Sequence, residues 1–191
     1  PVLFKYKSIE SKIEKIFYSE FKIKLKITEK ITYNAFPKPH FLIKKANLKL
    51  NKELTSSTNV NVEDLKIYIP YKNIYSKSKI IIDSLEINNA NFNLKFQDIK
   101  DFRDHLYYKI NKPIKIKKST FFYEDVENNT ILISPIKKLD YYINNKSNFK
   151  TLKIEGNLFD VNYTSNWKRY YENPNESFNE IKFKNPNITI K

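Results

Sequence analysis

Along residues 85–94, Leu-Glu-Ile-Asn-Asn-Ala-Asn-Phe-Asn-Leu, the apolar side chains fall first on odd positions (Leu85, Ile87) and then on even ones (Ala90, Phe92, Leu94). Side chains alternate along a strand with a period of two, so the slip would send the second half to the opposite face. One extra residue at Asn88-Asn89, a β-bulge, restores a single apolar face and adds twist. The same slip occurs in Phe41–Leu50 around Lys44-Lys45, in Ile114–Tyr123 around Lys117-Lys118, and in Ile181–Ile190 around Lys184-Asn185. Four copies point to one supersecondary unit used repeatedly. Bulges repeated at equivalent places curve a sheet in one direction. The expected fold is therefore mainly β (α+β), a long curved antiparallel sheet forming a trough.

Two amphipathic helices accompany it. Tyr6, Ile9, Ile13, Ile16 and Phe17 recur at three- and four-residue intervals and predict a helix over 6–18, suited to covering a sheet. A second is predicted over 98–110, with Asp98 and Asp101 at its positive end, Ile99, Phe102, Leu106 and Ile110 as one stripe, and Pro113 as its stop. Strict alternation makes 21–28 a half-buried strand, continued over 31–35 and broken by Pro37-Lys-Pro39. Further strands are predicted over 62–69, 79–87, 130–134, 138–143, 151–163 and 178–191, beside the four slipped segments. No linker or domain boundary interrupts this series, which predicts one domain over 1–191.

Composition narrows the chemistry. The chain of 191 residues has no Cys and one Gly, Gly156. That excludes disulfides, thiolate nucleophiles, Cys-based metal sites, and phosphate loops that need closely spaced glycines. His40 and His105 stand in unlike settings, with no metal-ligand spacing between or around them. No Ser sits in a Gly-x-Ser-x-Gly elbow. The reading is non-enzymatic, with no cofactor and no metal. A net charge of +14 favours anionic partners, although the lysines alternate through strands as a solvated face would. Arginine, the bidentate reader of phosphates and bases, occurs only as Arg103 and Arg169, which argues against a nucleic-acid-binding β domain. No Met is present, and the last residues stop inside an alternating run, so a longer parent chain is expected.

Several segments taken together resemble the AsmA family of membrane-anchored proteins, distant relatives of the bridge-like lipid-transfer proteins. They are the short helix leading into an alternating strand; Tyr33-Asn-Ala-Phe-Pro37-Lys-Pro39-His-Phe-Leu-Ile-Lys-Lys-Ala-Asn-Leu48; Leu65-Lys-Ile-Tyr-Ile-Pro70; Leu85–Leu94; and Leu152-Lys-Ile-Glu-Gly156-Asn-Leu-Phe159 running on to Trp167. The paired prolines are the most specific of these. The resemblance implies an N-terminal membrane helix absent from this chain, a periplasmic body anchored to the bacterial inner membrane, and phospholipid moved between inner and outer membranes. On that basis the apolar lining for acyl chains is expected to be Leu48, Leu50, Leu85, Ile87, Phe92, Leu94, Phe121, Tyr123, Ile188 and Ile190. Lys44, Lys45, Lys117 and Lys118 are expected at a headgroup rim. An envelope scaffold without lipid, its trough filled by its own side chains, is the alternative.

Overall fold

The computed structural model describes residues 6–50, 59–73, 80–144, 148–170, 176–184 and 187–190. A helix, α1 (Tyr6–Phe21), leads into β1 (Ile23–Ile27), β2 (Ile31–Asn34), β3 (His40–Leu50), β4 (Asn59–Tyr68) and β5 (Ser84–Lys95). After a 3-10 turn comes α2 (Ile99–Lys109). The chain then runs through β6 (Ile114–Glu124), β7 (Thr130–Asn144), β8 (Phe149–Leu158), β9 (Val161–Tyr170), β10 (Ser177–Lys184) and β11 (Asn187–Ile190). All eleven strands form one open sheet in the order β1-β3-β4-β5-β6-β7-β8-β9-β10-β11, with β2 also on β3. It does not close into a barrel.

The phase slip is the organising feature, and its geometry differs from an ordinary bulge. Lys45, Asn89 and Lys118, the second polar residue of each of three copies, adopt left-handed backbone with φ of 51°, 52° and 47°. A bulge sets two residues against one. Here the register is continuous through the slip, Ile43 facing Leu65 and Ala46 facing Val62, then Asp64 facing Asn88 and Val62 facing Ala90. Neighbouring strands change phase together, so no strand gains on the next. Two strands that the sequence pattern did not single out share the switch. In β4 burial passes from Val60 and Val62 to Leu65 and Ile67, and in β7 from Ser134 and Ile136 to Leu139 and Tyr141. The line ends at β8 as a true bulge, where Ile136 faces Gly156 and Lys138 faces Glu155, leaving Lys137 unmatched. A Cβ on Gly156 would stand 2.9 Å from the Pro135 carbonyl oxygen and 3.0 Å from Tyr163, so only glycine fits there.

The small residue after the β6 slip has a reason. The buried Ser119 hydroxyl accepts from the Ala90 N–H at 3.1 Å and donates to the Lys117 carbonyl at 2.9 Å. It replaces ladder bonds that the slip removes, and such unpaired buried groups cost about 1–3 kcal/mol. At the other end of the line the edge strand itself divides, β1 pairing with β3 after the slip and β2 before it.

Several expectations are corrected. Ile181–Ile190 is not a slipped strand but a hairpin, with Phe183 facing Ile188 and Ile181 facing Ile190; its turn, 185–186, lies outside the described residues. The sheet is not wholly antiparallel, because β5 and β6 run parallel with α2 as the connection between them. A parallel pair needs such a crossover. The predicted strand 151–163 is a hairpin turning at Phe159-Asp160, both with positive φ. Segments 130–134 and 138–143 are one strand through Pro135, and the strand begun at 79 starts at Ser84.

The left-handed positions give a direct test. Asn tolerates this backbone better than branched residues, whose cost there is about 1–2 kcal/mol or more. Asn89→Gly is expected to leave the urea midpoint unchanged or higher, and Asn89→Val to lower stability by about 1–2 kcal/mol.

Candidate functional site

The shared phase change keeps one apolar face across the sheet, and its cover divides it into two parts. Over β1 to β7 the cover is helical. Ile13, Phe17 and Phe21 of α1 and Leu106 of α2, with Ile110 just beyond its end, join one buried cluster with Leu48, Leu65, Leu85, Ile87, Phe92, Leu94, Ile116 and Phe121. Phe92 and Phe121 stack at 4.5 Å, and Phe102 of α2 closes over both, edge-on at 6.5 and 6.2 Å. Six of the residues expected to line an acyl-chain trough (Leu48, Leu85, Ile87, Phe92, Leu94 and Phe121) are therefore packed beneath helices. Tyr123 is half-buried at the border, and the side chain of Leu50 lies outside the described residues.

The last turn of α2 is clamped by residues to which the sequence reading gave no site role. Lys150 of β8 is buried, and its ammonium donates to the Tyr107 carbonyl, to the Ile110 carbonyl at 3.1 Å and to Asn111 Oδ1 at 2.8 Å. A cation there complements the negative end of the helix dipole. Burial lowers the Lys150 pKa from its ordinary value. Tyr141 donates to the Ile110 carbonyl at 2.9 Å, and Tyr107 donates to the Tyr170 carbonyl at 2.7 Å. Trp167 meets the Tyr107 ring edge-on at 5.3 Å, while the Arg169 guanidinium lies 4.3 Å from that ring and donates to the Tyr108 hydroxyl. At the other side, the His105 Nε2–H donates to the Phe21 carbonyl at 2.9 Å, tying α2 to the end of α1. The signal for Lys150 was its phase: it shares the face of Leu152 and Ile154, where a solvated lysine does not belong.

Past this clamp the cover thins. Leu152, Ile154 and Tyr163 are half-buried at the margin of the core. The face continues through Ile181 and Phe183 to Ile188 and Ile190, which are 48% and 55% exposed. Tyr163 approaches Phe183 with ring centroids at 6.3 Å. Burial raises the phenol of Tyr163 and, with the Tyr163 charge adding to it, pushes that of Tyr123 up to about 12. Both hydroxyls stay neutral at ordinary pH, which keeps this wall uncharged. Among the expected lining residues whose side chains are described, Ile188 and Ile190 are the ones on the accessible part of the apolar face.

No protein-family model and no curated protein matches this chain. The accessible part of the face presents branched and aromatic side chains, Tyr163, Ile181, Phe183, Ile188 and Ile190, with Ser165 and Asn179 among them. Among the described residues no cluster of His, Asp and Glu fit for a metal ion occurs, and no helix is long and apolar enough to cross a membrane.

The opposite face is polar and holds the four lysines expected at a headgroup rim. They lie near mid-strand on the wrong side for a rim of the apolar face, because each follows the last inward residue before its slip. Lys44 pairs with Asp64, Lys45 with Glu29 at 2.7 Å, and Lys117 with Glu86 at 2.9 Å; Lys118 is exposed. Burial would raise the Glu86 carboxyl, but hydrogen bonds from Lys117, Asn88 and Lys66 together outweigh it and hold it at about 2. Beside this cluster a depression of about 860 Å3 is lined by Lys115, Lys138, Lys153, Asp140 and Tyr142 among others.

Two predictions arise here. Lys150→Ala removes the buried ammonium shared by the Tyr107 and Ile110 carbonyls and Asn111, so stability should fall by about 1–3 kcal/mol, with faster amide exchange in the last turn of α2. The depressed Glu86 carboxyl stabilises the fold above its unfolded value of about 4.5, and that stability is lost as pH falls toward about 2. Glu86→Gln should flatten the stability profile in that window, measured by denaturant unfolding at stepped pH.

Proposed function

We propose that this chain is a non-enzymatic lipid-handling module of the bacterial envelope, AsmA-like, with phospholipid as its ligand and the periplasmic side of the inner membrane as its place. The observation that carries this reading is the apolar face running past the helices, through Phe183, Ile188 and Ile190, to the exposed edge strand. Acyl chains lie along that uncovered part, not over β1 to β7. A chain of 16 carbons buried on one side only gains roughly half of about 0.8 kcal/mol per methylene, on the order of 6 kcal/mol. By itself that gives a dissociation constant of tens of micromolar, which suits passage better than storage. The scaffold reading is favoured by one observation of its own, the packed core beneath α1 and α2.

The two readings separate in one measurement. Lipid extracted from the purified chain is counted by mass spectrometry against protein. Lipid handling requires bound phospholipid in the wild type and at least a tenfold loss in Phe183→Glu/Ile188→Glu, with Phe159→Glu, outside the face, unchanged. Wild-type protein without lipid, or equal occupancy in all three, overturns it in favour of the scaffold.

A further inference from the structure

The two ends of the sheet differ in a way the apolar face does not use. At one end β2 turns into β3 through 35–39, β4 leads out through 69–73, and β6 begins after 111–113. The helix α1 points its first turn toward the same end. It reverses into β1 through the single residue Lys22, with the Ile27 N–H donating to Glu14 at 2.9 Å, so that Tyr6 lies beyond the phase line.

Phe36 stands at this end 85% exposed, and Tyr71 beside it is 58% exposed. The loop holding Phe36 is braced. Tyr71 donates to the Pro37 carbonyl at 2.7 Å, the His40 Nδ1–H donates to the Lys38 carbonyl at 2.8 Å, and the Ile69 N–H donates to the Pro39 carbonyl at 3.0 Å. Pro39 is fully buried. The large ring is thus presented outward by an ordered loop.

Charge follows the same axis. Among the described residues, the connections at the Phe36 end carry Lys38, Lys72 and Lys112 against Asp83 and Glu176. Those at the opposite end carry Asp98, Asp125, Glu127 and Asp160 against Lys22. Exposed rings occur at both ends, Phe96 and Phe159 lying at the other, so the basic excess is what sets the Phe36 end apart. An exposed ring together with cations matches a bilayer interface, where rings sit at headgroup level and cations meet anionic lipid.

We propose that the Phe36 end of the sheet seats on an anionic bilayer surface, Phe36 entering the interface and Lys38, Lys72 and Lys112 meeting lipid phosphates. This does not depend on lipid being carried along the apolar face. It fixes the orientation of the protein, with the acidic end directed away from the membrane.

The test is co-sedimentation of the chain with phosphatidylcholine vesicles with and without 30% phosphatidylglycerol, at low and physiological salt. Binding to the anionic vesicles is expected to exceed that to the neutral ones and to weaken with salt. Phe36→Ser should reduce it several-fold, and Lys38→Gln/Lys72→Gln by about fivefold per lysine. Phe159→Ser, an equally exposed ring at the acidic end, should bind as wild type, with circular dichroism confirming the fold of each variant. Absent or charge-independent binding overturns the proposal, the first outcome pointing to an acidic protein partner instead. Loss confined to Phe159→Ser overturns it as well. Vesicle binding that persists in protein free of bound lipid separates this result from the lipid-handling reading.

Discussion

Five neighbouring strands must change face at the same level, and the fold depends on their doing so together. A strand that slipped alone would turn two or three large side chains into water, at roughly 1.5–3 kcal/mol each. The left-handed backbone at Lys45, Asn89 and Lys118 costs about 1–2 kcal/mol per residue, less than the burial it preserves. The balance favours the slip only when adjacent strands share it, because the ladder on both sides of the line then stays in register. Glu63 and Lys137 make the same change without positive φ, so the left-handed residue is one way of crossing the line and not its cause.

An apolar face kept this wide must then be covered. The route of the chain meets this with α2, which leaves β5 and returns to start β6 parallel to it. Phe102 reaches the Phe92–Phe121 stack from that helix, and His105 reaches the end of α1. The single parallel pair of the sheet and the closed half of its face thus have one origin. Lys150, Trp167 and Arg169 hold the far end of α2 against β8 and β9, where the closed half stops.

Much of this was legible because two polar residues inside an apolar alternation leave a mark that does not depend on tertiary structure. The mark located the slips in β3, β5 and β6. It was equally present in β4, as Val60-x-Val62-Glu-Asp-Leu65-x-Ile67, but there without the small residue that follows the other slips. The same mark misread Ile181–Ile190, since a two-residue hairpin turn and a slip interrupt alternation alike. Phe159-Asp160 gave no turn signal, because positive φ at a hairpin is usually announced by Asn or Gly. Periodicity also states which side chains share a face and not what lies upon it. For that reason Phe92 and Ile188 looked equivalent in sequence, one being buried under a helix and the other exposed.

That difference bears on how the two halves divide the work. The half under α1 and α2 has the packing of a core, and a core resists the rearrangement that admitting a ligand requires. Beyond the end of α2, the half from β8 to β11 carries Ile181, Phe183, Ile188 and Ile190 on the same face, with Ser165 and Asn179 among them, so its apolar side chains are already accessible without any movement of the helices. The clamp at Lys150 marks the boundary and fixes β8, the first strand of the open half, to the rigid one. A hydrocarbon surface that would be mobile as an isolated hairpin is in this way extended from a scaffold in which position is set by the phase line. The closed half is the foundation that gives the open face its shape.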